Sequence, residues 1–245
     1  MEIKEKLENY HSQSNYEPLK VVFYLTQPIY TTSAWINLDS IIYMLCFREA
    51  LGEDFYNLPT TKIIRYDDLE TPIMKTDDIF HTSVGKFEDN VILKIDKIYK
   101  RFTDNETRVL TDNKNKGKIK VNQGYYKDFL INLPAVYTKS ITFYTNADKQ
   151  ELERLLSHLK NIGKKTSIGG GKIKKIEIKE TDADYSFYKD NEVMRCIPTK
   201  YAKKIPLKPG TSFSIQSYKP PYWDNTYKTM CLTPPNQLKE VLRNA

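Results

Sequence analysis

A loop rich in glycine and lysine carries the clearest chemical signal in the sequence. Residues Gly163 to Gly171 read Gly-Lys-Lys-Thr-Ser-Ile-Gly-Gly-Gly, and further lysines follow at positions 172, 174 and 175. Glycine permits close backbone approach with open amides, and lysine attracts phosphate. The loop is therefore predicted to bind an anion, although a helix end followed by a turn with solvated lysines has the same composition. It follows a helix and lacks a Gly-Lys-Ser/Thr ending, so it is not a nucleotide-triphosphate loop.

Histidine is the second residue type that could do chemistry, because RNA cleavage by 2′-hydroxyl attack needs a base that titrates near neutrality and a nearby cation. His81 is the candidate, since Ser83 and Lys86 follow it closely. A structural or RNA-contacting role for this histidine is the alternative. His11 is predicted to lie in a frayed N-terminal segment, and His158 is predicted to occupy a polar position on a helix.

Neither the acidic residues nor the cysteines have the spacing of a metal site. The pairs Asp67-Asp68 and Asp77-Asp78 have no evident third ligand, and neighbouring carboxylates point apart on a strand. Cys46, Cys196 and Cys231 form no CxxC pair, and their odd number is typical of a reducing compartment. The sequence therefore predicts no metal, no cofactor and a cytoplasmic location.

Five segments have patterns of regular structure, and they are predicted to position these residues. They are the strand Leu19–Leu25, the helix Asn37–Leu51 before Gly52, the strand Ser140–Thr145, a leucine-striped helix from the capping pattern at Asp148 to Gly163, and the strand Lys172–Glu180. The stretch from Tyr56 to Leu133 is predicted to contain strands and loops. This order is that of an α+β, ferredoxin-like βαββαβ unit, which is the framework of RNA-recognition motifs.

Composition sets the class of partner. The net charge of +7 and the pI of about 9.0 favour a polyanion, provided that the charge clusters. No run approaches the roughly 18 apolar residues that span a bilayer, and the N-terminal residues lack an apolar signal core, so neither a membrane partner nor export is predicted.

Four segments together resemble a known family. They are "INLDSIIYML" (Ile36 to Leu45), "DIFHTSVGKF" (Asp78 to Phe87), "LLSHLKNIGKKTSIGGGKIKKIEI" (Leu155 to Ile178) and "YKDNEVMRCIP" (Tyr188 to Pro198). The third is similar to the helix, glycine loop and strand of the CRISPR-associated RAMP superfamily. The order and spacing of all four resemble the Cas-five-like subunit of type IV CRISPR systems, called Csf3.

This resemblance implies an RRM-like core in a single RAMP-type domain, residues 1–245, with an inserted thumb within residues 60–135 and a C-terminal extension over residues 181–245. It implies a subunit that caps the 5′ handle of the guide RNA and contacts other CRISPR effector subunits. The positions that it places on RNA are Gly163, Lys164, Lys165, Gly169, Gly170, Gly171 and Lys172. The charge and position of Lys114, Lys116, Lys118 and Lys120 suggest that the thumb carries them.

Two features bear on catalysis and on the loop. Processing endoribonucleases of the superfamily usually place a histidine near the first helix, and Ser33 to Leu51 has none. A non-catalytic subunit is therefore expected, with a metal-independent endoribonuclease that uses His81 as the runner-up.

The family loop commonly carries an Arg-x-Gly-x-Gly run, whereas this chain has Thr-Ser-Ile-Gly-Gly-Gly. A third hypothesis is a basic protein-interaction module whose loop contacts an acidic partner surface.

Overall fold

The protein is an α+β fold of short helices and antiparallel sheets. The computed structural model describes residues 3–58, 69–88, 90–103, 106, 122–123, 127–202, 209 and 211–238. The helices are α1 (Ile3–Glu8), α2 (Leu38–Leu51) and α3 (Lys149–Leu156). The strands are β1 (Tyr16–Leu25), β2 (Ile29–Tyr30), β3 (Lys75–Thr76), β4 (Ile79–Phe80), β5 (Lys86–Phe87), β6 (Ile92–Lys100), β7 (Phe129–Tyr137), β8 (Ser140–Asp148), β9 (Ile173–Glu180), β10 (Tyr188–Lys189), β11 (Glu192–Val193), β12 (Ile197–Pro198), β13 (Ser212–Ser217) and β14 (Lys228–Thr233).

A four-stranded sheet with the order β5-β8-β1-β9 forms the centre of the molecule, and every neighbouring pair in it is antiparallel. Strand β1 alternates along its length, so that Leu19, Val21 and Phe23 point into the core. The ring of Phe23 lies 5.3 Å from that of Phe143 on β8. The leucines of α2 and α3 complete the same core, which is the reason why both helices form in a small protein.

The five predicted segments are found with shifted boundaries, since β1 begins at Tyr16 rather than Leu19, β8 continues to Asp148 and α3 ends early. Asn37 and Gly52 flank α2 as expected, and the Asp148 carboxylate accepts a hydrogen bond from the Glu151 amide at the start of α3. The predicted end of this helix at Gly163 is wrong, because α3 stops at Leu156. The chain beyond it pairs with the residues before β9 through an antiparallel bridge between Asn161 and Lys172, and extended pairing is incompatible with a continued helix.

The region 60–135 contains a long hairpin. Strands β6 and β7 pair over nine residues, from Ile92 opposite Tyr137 to Lys100 opposite Phe129. Strand β2 pairs with the other edge of β7, which gives a three-stranded sheet with the order β2-β7-β6. Strand β5, in the same region, joins the central sheet instead. Lys114, Lys116, Lys118 and Lys120 lie outside the described residues.

A buried arginine connects the residues after position 181 to the central domain. The Arg195 guanidinium lies 3.3 Å from the Asp39 carboxylate, and both side chains are at most 3% exposed. It also donates to the carbonyl oxygens of Thr82, at 3.2 Å, and Tyr218, at 2.6 Å. The Tyr222 hydroxyl donates to Asp39 at 2.8 Å. Burial raises the pKa of Asp39, while Arg195, Tyr222 and the Ser40 amide act against that increase.

Replacing Arg195 with methionine is expected to lower the free energy of unfolding by about 3–5 kcal/mol, because it leaves the Asp39 carboxylate buried without its cation. Urea unfolding of the purified chain measures this. The matched control is Arg48→Met, since Arg48 is exposed on α2 and its loss is expected to change stability by about 0.5 kcal/mol. Equal, small losses in the two variants would contradict the structural role assigned to Arg195.

Candidate nucleic-acid interface

The glycine loop turns sharply through residues with left-handed backbone angles. Gly163, Lys165, Gly169 and Gly171 have φ values of 84°, 58°, 91° and 58°. A single 3₁₀ turn, Thr166–Ile168, occupies the middle of the loop. Glycine adopts such angles without steric cost, so its abundance here has a conformational reason.

Most of the loop's glycine amides are committed to protein carbonyls. The Gly171 amide donates to the Pro28 oxygen at 2.7 Å, and the Gly170 amide donates to the Lys165 oxygen at 3.1 Å. The Gly169 amide donates to the Thr166 oxygen at 3.0 Å. The sequence suggested glycines that expose amides to an anion, but these three amides are already paired. Any anion bound here is therefore attracted mainly by the lysine side chains.

The lysines of the loop differ in their surroundings. Lys164 and Lys172 are exposed, and within the described part of the chain no carboxylate lies within 4.0 Å of either ammonium group. Lys174 is exposed in the same way, whereas Lys175 forms an ion pair with Glu177 at 2.5 Å. Unpaired ammonium groups on a turn are available to phosphate, while a paired one must first exchange its partner.

The loop packs against β2 and reaches the end of the β6–β7 ladder where Lys100 lies opposite Phe129. The Lys164 amide donates to the Tyr30 oxygen on β2 at 2.7 Å, and β2 pairs with β7. The Lys165 ammonium lies 5.6 Å from the centre of the Phe129 ring on β7, and the Lys100 ammonium lies 6.0 Å from the same ring. The loop and the hairpin thus present lysines and an aromatic ring on adjoining surfaces.

A shared carboxylate holds the hairpin base in place. The hydroxyl groups of Tyr30 and Tyr137 both donate to the same Asp96 oxygen, at 3.1 and 2.7 Å. The hydrogen bond to Asp96 raises the pKa of Tyr137 to about 12, and burial adds to the effect. Both phenols therefore remain protonated donors at neutral pH, which fixes β2, and with it the loop, relative to β6.

Sequence reasoning missed the contribution of Phe129, Lys100 and Tyr30. All three lie in or beside the sheet β2-β7-β6, and the pairing of strands between Tyr56 and Leu133 could not be predicted from the sequence. The available signal was the alternation in "ILKIDKIYK" and in "FLINLPAVY", which are the strands of the hairpin.

His81 is enclosed by polar partners rather than presented to solvent. Its Nδ1 lies 2.7 Å from Asp184, its Nε2 lies 2.8 Å from the Thr76 hydroxyl, and the Phe187 ring stands edge-on at 4.7 Å. The side chain is 13% exposed. Burial acts to raise the pKa of Asp184, but hydrogen bonds from His81 and Ser186 outweigh it and the pKa is lowered. Both ring nitrogens thus have hydrogen-bond partners within the protein.

The groups near His81 are also engaged within the protein. The buried Ser83 hydroxyl accepts a hydrogen bond from the Tyr144 amide at 2.8 Å, and Lys86 forms an ion pair with Glu192. His11 is exposed beside Glu70, and His158 lies two residues beyond α3 rather than on it. None of these groups converges with His81 on an open site.

The remaining candidate sites do not assemble. Asp78 forms ion pairs with Lys75 and Lys219, and Asp67 and Asp68 lie outside the described residues. In the part of the chain that the structure describes, no group of three His, Cys, Asp or Glu residues could hold a metal ion. None of the described helices is both long enough and apolar enough to cross a lipid bilayer.

Two glycine substitutions separate the roles of the loop glycines. A Cβ at Gly171 would overlap the Ile162 carbonyl, whereas one at Gly169 would meet open space, and both positions have positive φ. Gly169→Ala is expected to cost about 1 kcal/mol of strain, and Gly171→Ala at least twice as much because the backbone must also shift. Urea unfolding of the two variants tests this. Equal costs would show that the loop packs less tightly than described.

One comparison with known proteins gives a match. A family model described as CRISPR type IV associated protein Csf3 matches residues 17–234, from the start of β1 to just beyond β14. A search of curated proteins finds no match. The matched region includes the glycine loop, the hairpin strands and the Arg195–Asp39 pair. The chain therefore belongs to the Csf3 family of type IV CRISPR-associated proteins.

Proposed function

We propose that this protein is a non-catalytic, RNA-binding subunit of a type IV CRISPR effector complex, and that it caps the 5′ handle of the guide RNA. The observation that carries the proposal is the pair of exposed, unpaired ammonium groups of Lys164 and Lys172 beside the Lys165–Phe129–Lys100 cluster. Family membership supports a role with other CRISPR components, and the basic loop supports RNA as the ligand.

The order of the central elements supports an RRM-like core. The succession β1, α2, β5, β8, α3 and β9, with the strand order β5-β8-β1-β9, supports the assignment of this core to a ferredoxin-like unit of the RAMP type. In this interpretation β6 and β7 belong to an insertion between β5 and β8, which are the second and third strands of the core. The loop then follows the second core helix, which is where the RAMP superfamily places its glycine loop.

The chemistry of the surface is suited to a single strand. Ammonium groups bind phosphates without reading sequence, and an aromatic ring such as Phe129 can stack a base for about 1–3 kcal/mol. Three of the loop's glycine amides already donate to protein carbonyls and are not available to phosphate. The lysine side chains therefore bind the phosphates that free amides and the arginine of the Arg-x-Gly-x-Gly pattern would otherwise bind. Their contribution is electrostatic and should depend steeply on salt.

Salt dependence gives a quantitative test of this assignment. The slope of log affinity against log salt for guide RNA is expected to fall by about 1.4 in Lys164→Ala/Lys172→Ala, which corresponds to two phosphate contacts on a single strand. Fluorescence anisotropy with the cognate guide RNA measures it. The control is Lys4→Ala/Lys228→Ala, which removes two exposed lysines on α1 and β14.

An unchanged slope in the loop variant would refute the RNA interface. A protein that copurifies free of RNA and binds none would favour the protein-interaction hypothesis instead. Equal losses in the loop variant and in the control would show that affinity reflects net charge rather than this surface.

Activity assays separate the proposal from the endoribonuclease alternative. Incubation of the protein with repeat RNA in EDTA is expected to yield no product on a denaturing gel, because no histidine lies between Ser33 and Leu51, where the processing endoribonucleases of the superfamily usually have one. His81→Ala serves as the control. Cleavage by the unaltered protein that disappears in His81→Ala would establish the enzyme and overturn the non-catalytic assignment.

A further inference from the structure

A groove of about 570 Å³ runs between the end of α3 and the outer edge of β9. It exists because α3 stops at Leu156 and the chain then turns away, so that the helix leaves part of β9 uncovered. Its lining includes Glu153, Leu159, Lys160, Lys174, Ile176 and Ile178. The groove is distinct from the surface formed by Phe129 and Lys165, although Lys172 borders both.

The floor of the groove is aliphatic. Leu159, Ile173, Ile176 and Ile178 are only partly buried against the core, and Leu156 lies beneath them. None of the described lining residues is aromatic, and none is an arginine. Nucleobases are usually bound by stacking on aromatic rings or guanidinium planes, so this floor suits aliphatic side chains better than bases.

The rim of the groove is basic and largely unpaired. Over the described ranges, Lys160, Lys172 and Lys174 have no carboxylate within 4.0 Å, whereas Lys175 is paired with Glu177. Glu153 is the single acidic residue of the lining. The groove therefore combines an apolar floor with an excess of available positive charge, which complements an acidic partner.

Strand β9 adds a backbone element to this surface. It is the last strand in the order β5-β8-β1-β9, and it pairs with β1 on one side through residues 173–180. Its other side is paired at the start, where the Ile173 amide donates to the Lys160 oxygen at 2.9 Å, and none of the described strands pairs with the remainder. An edge of this length can accept an added strand from another chain, and its lysines oppose pairing with a second basic strand.

We propose that this groove docks an extended segment of a partner protein in which aliphatic and acidic side chains alternate, and that the segment adds as a strand to β9. Its aliphatic side chains cover Leu159, Ile176 and Ile178, because alternate residues of a strand share one face. Its carboxylates alternate with these and project toward the opposite face of β9, beside Lys174, Lys175 and Lys179. This docking surface does not depend on the RNA-binding proposal, since it uses a separate floor and a different ligand chemistry.

A synthetic probe tests the proposal directly. A fluorescein-labelled ten-residue peptide of alternating valine and glutamate is titrated with the full chain, alongside a valine–lysine peptide of equal length. The acidic peptide is expected to bind, and the basic one is not. Lys174→Glu and Leu159→Asp are each expected to weaken binding by about tenfold or more. Lys228→Glu is the control, because Lys228 is exposed on β14 and does not line the groove.

The outcomes distinguish the possible occupants. Absence of binding at millimolar peptide, equal binding of both peptides, or insensitivity to Lys174→Glu would overturn the proposal. Unlabelled oligo(U) that displaces the peptide, with its own affinity reduced by Leu159→Asp, would identify the groove as part of an RNA path and would also overturn it. Thermal unfolding confirms that Leu159→Asp is folded, and the surface variant Lys174→Glu provides the test if it is not.

Discussion

The fold depends on one buried ion pair, between Arg195 and Asp39. A guanidinium has five donor N–H groups, and burying it is tolerable only if fixed acceptors surround it. Here the acceptors come from the start of α2, from the carbonyl of Thr82 and from the carbonyl of Tyr218. The segments that contain Asp39, Thr82 and Tyr218 must therefore come together before the Arg195 side chain can be buried.

This network gives a physical meaning to the resemblance seen in the sequence. Three of the four similar segments, which contribute Asp39, Thr82 and Arg195, converge on the same buried cluster. Their polar residues could suggest a reactive site, but Asp39 and Thr82 are hydrogen-bonded to the Arg195 guanidinium and so stabilise the fold. The fourth segment, the glycine loop, contacts β2 and lies beside the hairpin instead. The segments that build the buried cluster and the segment that is proposed to bind RNA thus lie in different parts of the structure.

The predictable parts of the fold were those set by local pattern. Alternation identified β1, β8 and β9, and the cap at Asp148 identified the start of α3. The end of α3 could not be predicted in this way, because the chain after Leu156 is held by a β-bridge between Asn161 and Lys172, which is a contact with a segment that follows the loop. Likewise, glycine abundance indicated a special loop but not that its amides face protein carbonyls. The burial of Arg195 was also hidden, because a lone charge in a sequence gives no sign of its acceptors.

The tyrosine pair on Asp96 has a consequence for the length of the chain that joins β6 to β7. Because Tyr30 and Tyr137 fix the hairpin at its root, the geometry beside the loop is set by residues on β2, β6 and β7 alone. The chain that joins β6 to β7 can then gain or lose residues at little entropic cost, since closure entropy grows only slowly with length. A change in the length of that chain would therefore leave the contacts of Tyr30 and Tyr137 with Asp96 unchanged.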